Sequence, residues 1–195
     1  MPHRRLVELL ERYIEHYPED LVRADHVRQF VRVHPDCFHR TCFEGHITAS
    51  AWILSPDHRQ VLLVEHRKLQ RWLQPGGHAD GDTDTFRVAL REVQEESGLT
   101  QLAPLEGVTP ELPFDIDVHR IPARPGEPAH LHHDLRYVFV TAPGQTLRLS
   151  DESTALRWVE RDRLAEFSTE ESILRMERKT CVLFSLSPRR LETNS

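Results

Sequence analysis

Glu92, Glu95 and Glu96 set three carboxylates close together in a stretch with helical periodicity. On a helix Glu92 and Glu96 share a stripe, with Glu95 between them in angle, and each like-charged pair costs roughly 0.2–0.5 kcal/mol. A helix shaped by stability alone avoids that cost. Clustered carboxylates are hard oxygen donors suited to Mg²⁺ or Mn²⁺; the competing reading is a solvated acidic face. Just upstream, Pro75-Gly76-Gly77 makes a turn whose backbone can come close to a ligand. A free carbonyl there could complete a metal site.

Histidine is the second chemistry-bearing residue type. The chain has 13 histidines, and His78, His119, His130, His132 and His133 stand out, with Asp115, Asp117 and Asp134 nearby. In an extended strand His132 and Asp134 face one side and His133 the other. These imidazoles could bind a substrate phosphate, act as a general base or hold a second metal. A polar surface cluster is the alternative. Lys68 and Arg71 could meet phosphates or be ordinary solvated cations, and Trp72 could be core or could cover part of a pocket.

Several elements must position these groups. Asp84 or Thr85 can cap a helix carrying the glutamates, and Ser97-Gly98 can end it. Phe86, Ala89, Leu90 and Val93 form its expected apolar face. Upstream, His46 to Leu54 and Gln60 to Glu65 are strand-like runs joined by a turn at Ser55-Pro56-Asp57-His58. Downstream, Leu99 to Val108 is expected as a strand with its turn. A loop over Ile121 to Ala129, with Pro122, Pro125, Gly126 and Pro128, is expected to approach the active site. Leu135 to Val140 reads as a strand. Leu147 to Ser150 and Leu156 to Val159 read as short strands around Asp151-Glu152-Ser153. Ser168 or Thr169 can cap a last helix through Arg178 that Cys181 to Leu186 could extend, before a polar tail from Pro188 to Ser195. At the N-terminus, Arg4 to Tyr17 and Ala24 to Val33 read as helices closed by Pro18 and Pro35. They could be a lid, a dimer contact or packing over a sheet. The expected division is an N-terminal helical extension over 1–40 and a main domain over 45–187.

The stretch Leu73 to Leu99 resembles the signature box of the Nudix hydrolases, matched at Gly77, Arg91, Glu92, Val93, Glu95, Glu96, Gly98 and Leu99. Thr83 stands where the family has an early Glu, and Asp82 and Asp84 flank it as substitutes. The order of elements over about 45–165 is also similar to that family. The resemblance implies an α/β fold: a Nudix-type α/β/α sandwich with a mixed sheet, here with the N-terminal helical extension. It implies a pyrophosphohydrolase (EC 3.6.1.-) that uses water and Mg²⁺ or Mn²⁺. Its small-molecule substrate would hold a diphosphate linkage, in a nucleoside diphosphate joined to another moiety or a similar phosphorylated metabolite. Gly76 (through its carbonyl), Glu92, Glu95 and Glu96 would be the metal ligands. Glu96, Glu95 and Arg91 would be catalytic, with Arg91 orienting the glutamates. The general base stays open among Glu96, His132, His133 and Glu160. His78, Arg71, His119, His132 and His133 are expected on the substrate side, and a homodimer is the oligomer common in the family.

Other readings compete. One is a catalytically inactive or regulatory ligand-binding module that keeps the fold. Another is an isoprenoid-diphosphate isomerase-like enzyme, which needs a catalytic cysteine; Cys37 and Cys42 precede the first core strand. A third is a zinc-dependent protein built on the histidines. Cys37 and Cys42 with His34 and His39 could also form a small zinc site, though a closed site needs four well-placed ligands. Three cysteines at wide spacing suggest no disulfide framework. A net charge of −6 without a long basic tract argues against a general nucleic-acid binder, so no stable nucleic-acid partner is expected. No apolar run reaches the roughly 18 residues of a membrane span, and no secretory leader pattern opens the chain. A cytoplasmic protein with no membrane partner is the expectation.

Overall fold

Apolar residues at helical spacing build α1 (Arg4–His16) and α2 (Leu21–Val33), joined by a 3-10 turn at Pro18–Asp20. The computed structural model describes residues 3–151 and 153–186. The expected polar tail from Pro188 to Ser195 and Glu152 of the expected turn lie outside the described residues. Eight strands follow: β1 (Gly45–Leu54), β2 (Gln60–His66), β3 (Arg71–Leu73), β4 (Gly76–His78), β5 (Leu102–Pro104), β6 (Asp115–Ile121), β7 (His130–Thr141) and β8 (Ser153–Glu160). Two further α-helices, α3 (Thr85–Ser97) and α4 (Glu171–Leu186), complete the elements among the described residues, with a 3-10 turn at Arg161–Glu166.

The strands form one mixed sheet in the order β3-β2-β1-β7-β5, with β4 paired to β1, β6 to β7 and β8 to β2. β1 runs parallel to β7, and the other pairings are antiparallel. Alternation along β1 sorts the core into two halves. Ile47, Ala49, Ala51 and Ile53 face α1, α2 and α3, together with Leu135, Tyr137 and Phe139 of β7. Trp52 and Leu54 face the other way, onto Val138, Val159, Leu164, Ile173 and Met176 beneath α4. Helices on both faces of a mixed sheet give the α/β/α sandwich expected from the sequence. The N-terminal helices are packing over the sheet: Leu6, Leu10, Tyr13, Val27 and Val31 join the same core as α3. Among the described residues no helix is long and apolar enough to cross a membrane.

Three expectations change. The strand expected over Leu99 to Val108 shrinks to Leu102–Pro104; the proline has no N–H with which to carry the ladder further. Leu147 to Ser150 forms no strand. Leu149 is exposed, and the segment instead hangs on the end of α3 through Arg148 N–H donating to the Ser97 carbonyl at 2.8 Å. β7 starts at His130 rather than Leu135, because β6 pairs with it from Asp115↔Arg136 out to Ile121↔His130.

Candidate functional site

The chemistry gathers around β4, whose three residues touch different groups. α3 is placed against it by firm ends. Asp84 caps the start by accepting from Arg87 N–H at 3.2 Å, and Gly98 ends it in the left-handed region (φ 74°) with its N–H on the Gln94 carbonyl. Val88, Ala89 and Val93 are its buried line, with Phe86 and Leu90 half-buried beside it. Arg91, Glu92 and Glu96 thereby flank β4. Glu96 Oε2 accepts Gly76 N–H at 2.9 Å. Glu92 rests on the bare backbone of Gly77: a Cβ there would lie 2.4 Å from Glu92 Oε2. Arg91 donates to the His78 carbonyl at 2.7 Å and to Glu92 Oε1 at 2.8 Å, and its Nε lies 3.8 Å from Glu95 Oε1. Glu95 is 61% exposed, whereas Glu96 is buried. Burial raises the Glu92 carboxyl above its ordinary range, against the pull of Arg91.

This set fits a hard divalent cation. All of its donors are oxygens, and a side chain is excluded where Glu92 meets Gly77. The flanking acids do other work. Asp84 caps α3, while Asp82 accepts from Asp84 N–H at 3.0 Å and from Arg87 at 2.9 Å. Thr83 is exposed. The His78 carbonyl braces Arg91 directly, with Asp80 and Asp82 within electrostatic reach of it.

The opposite face of the same strands is polar. Residues paired across strands share a face, so the registers His46↔His132, Thr48↔His78 and His119↔His132 set four imidazoles side by side. Ring centroids are 4.8 Å apart for His46 and His132, 4.9 Å for His78 and His132, and 5.4 Å for His119 and His132. His130 completes the group, 4.7 Å from His46. Burial, and then the neighbouring imidazoles and Arg40, push His78 down to about 4. His132 is pushed down by burial and by His78. Both rings are neutral near pH 7. Beyond them Asp134 accepts from Thr48, Ser50 and Arg136, and Asp115 and Asp117 share Arg136 and Arg175.

The other expected site residues lie apart. His133 is on the α2 face, its ring stacked 4.0 Å from Phe30 and 5.5 Å from His26. Arg71 is exposed and paired to Glu170 at 2.6 Å. Glu160, at the end of β8, accepts from Gln60 at 2.6 Å. Trp72 packs edge-on to Phe167. Cys37 is buried, and His34, Asp36 and Cys42 bring donor atoms together without His39, whose ring lies over Gly81. His46 was the residue that sequence reasoning passed over. The polar alternation His46, Thr48, Ser50 in an otherwise apolar strand was the available signal. A cleft of about 160 Å³ between α1 and the start of α3 holds none of the glutamates or clustered histidines.

Comparison with known proteins gives a consistent result. The NUDIX domain family profile matches residues 45–178. A search of curated proteins finds no match. Among solved structures, an Ap4A hydrolase of C. elegans in a binary complex is similar with a TM-score of 0.58 and 19% identity, over 71% of this chain and 97% of that one. A NUDIX family hydrolase from Clostridium perfringens gives a TM-score of 0.56 and 22% identity over the same shares. The NUDIX domain of Shewanella oneidensis NrtR, complexed with ADP ribose, gives 0.52 and 14% over 71% and 87%. At these identities the likeness is one of fold.

Proposed function

Since the chain belongs to the NUDIX family, we propose that it is a metal-dependent hydrolase of a diphosphate linkage, in a nucleoside diphosphate joined to another moiety or a similar small phosphorylated metabolite. The observation that carries this reading is the fit of Glu92 onto Gly77, with Arg91 bridging Glu92 and Glu95 and with Glu96 on Gly76 N–H. Glu92, Glu95, Glu96 and the Gly76 carbonyl would hold Mg²⁺ or Mn²⁺, which supplies neutralisation of diphosphate charge and a bound water of lowered pKa.

The chain's own residues do the rest. Arg91 fixes the direction of two carboxylates and is itself fixed by the His78 carbonyl. Glu96 is oriented by a backbone donor and is the favoured proton acceptor. Of the other candidate acceptors, Glu160 and His133 are engaged at the end of β8 and under α2, and His132 is packed among the imidazoles of the polar face. His78 and His119 stand on the polar face and are proposed to receive the substrate's phosphate side, whereas Arg71, paired to Glu170, is left outside the proposed site.

A hydrolysis panel at slightly alkaline pH, with Mg²⁺ and separately Mn²⁺, tests the reading. It would include nucleoside triphosphates, ADP-ribose, NADH, dinucleoside polyphosphates, a sugar nucleotide and coenzyme A, scored for phosphate and pyrophosphate release. Metal-dependent cleavage of one class is expected and names the substrate group. Absence of turnover across the panel, with retained nucleotide binding, would instead favour a ligand-binding module.

A further inference from the structure

We infer that His46, His130 and His132 form a binding site for Zn²⁺, separate from the glutamates of α3. The donor atoms of the three histidines all lie within 4.8 Å of one another. Two imidazole nitrogens bound to one tetrahedral Zn²⁺ at 2.0–2.1 Å stand about 3.3 Å apart; His130 Nε2 and His132 Nε2 are 3.3 Å apart.

The rings are oriented for this. His130 Nδ1 is 2.9 Å from the Pro128 carbonyl. A carbonyl only accepts, so the proton of the neutral ring sits on Nδ1 and the Nε2 lone pair points into the cluster. A backbone partner on the far nitrogen is the usual way a metal-binding imidazole is held.

His46 supplies an independent observation. It is only 2% exposed, and neither ring nitrogen makes a well-formed hydrogen bond, the Cys42 backbone being its one marginal partner. A buried polar group left unsatisfied costs about 1–3 kcal/mol. A proton shared between His130 and His132 would explain their short contact but would leave His46 orphaned. A cation among the three rings accounts for both.

Glu127 borders the group beside His130. Its Oε1 lies 3.6 Å from His130 Nε2, brought there by the tight turn in which Arg124 and Glu127 exchange backbone hydrogen bonds. Three imidazoles match Zn²⁺ with its fourth position open, whereas Mg²⁺ prefers six oxygens. The three ligands come from β1 and from the first residues of β7, so the ion ties these two strands together where the 122–129 loop enters β7. Since His78 borders both His46 and His132, the ion sits behind the strand that carries Gly76 and Gly77.

The test uses the full chain, stripped with a chelator and titrated with Co²⁺, whose visible bands are strong in a tetrahedral nitrogen-rich site and weak in an octahedral oxygen site. The expected result is one Co²⁺ per chain with tetrahedral bands, displaced by Zn²⁺. His132→Gln and His130→Gln should each weaken binding at least about tenfold, with circular dichroism of the metal-free variants confirming the fold. Glu96→Gln should keep the tetrahedral Co²⁺ bands with wild-type affinity. Any of three results would overturn the site: no tetrahedral spectrum in the wild type, wild-type affinity in both folded histidine variants, or tetrahedral bands lost in Glu96→Gln. The first two leave the hydrolase reading standing, so the two can fail separately.

Discussion

Gly77 shapes the glutamate set as much as any carboxylate does. The atom that a Cβ at 77 would strike is the far end of a flexible side chain, so Gly77→Ala should fold and displace Glu92. We predict that it lowers kcat about 10–100-fold, the scale of a misplaced reacting group, with the thermal midpoint little changed. A calorimetric scan beside an activity assay checks both halves. The spacing of Arg91, Glu92, Glu95 and Glu96 made this set legible in the sequence, because all four sit on one helix. Gly76 and Gly77 were legible as a close-approach turn. The partner of Arg91 was not, since a backbone carbonyl leaves no sequence signal. His46 escaped for a related reason: its neighbours come from β7, and only the parallel register between β1 and β7 sets it beside His132.

At the scale of elements, α3 and the polar face of the sheet carry separable predictions. Val93 is fully buried against β1. Val93→Ala should cost about 2–3 kcal/mol, the lost transfer energy plus a cavity term, read from the denaturant midpoint; no shift would mean that this face of α3 is not the packed one. On the polar face, burial raises the carboxyls of Asp115 and Asp117, but it is outweighed. Arg175 and Arg136, with Lys179 at Asp115 and His119 at Asp117, hold both below the ordinary 3.8. With the folded values depressed, the unfolded chain protonates first. Their contribution is therefore complete above pH 3.8 and lost as pH falls below it. Asp115→Asn should cost about 3–5 kcal/mol at pH 7, because it leaves the partly or fully buried cations Arg136, Arg175 and Lys179 short of a shared carboxylate, and should flatten the acid limb of the stability curve. The alternation of His132, His133 and Asp134 was readable as a strand. The ion network was not, because Arg175 and Lys179 reach it from α4, far along the chain.

The whole molecule joins the N-terminal helices to the sheet. Leu10 and Tyr13 are fully buried in the core that α3 shares. Lys179 of α4 pairs with Asp20 and donates to Tyr13 Oη and the Phe114 carbonyl, each at 3.0 Å. Leu10→Ala should therefore cost about 2–5 kcal/mol and lower one cooperative transition seen alike by fluorescence and circular dichroism. Two separate transitions would show that 1–40 folds as an independent unit. Both helices were visible from their periodicity. Their docking was not, since an apolar stripe tells that a helix is covered but not by what.

The central claim is that the carboxylates of α3 hold the ion that hydrolysis needs. The most direct measurement is the Mn²⁺ and Mg²⁺ dependence of hydrolysis for wild type and Glu96→Gln, on whichever diphosphate the panel identifies. The account predicts saturable dependence on the cation in the wild type. In the variant, turnover should fall at least about tenfold, within the range a general acid–base group supplies, with the fold unchanged by circular dichroism. Cation-independent turnover, or a Glu96→Gln enzyme as fast as the wild type, would contradict it.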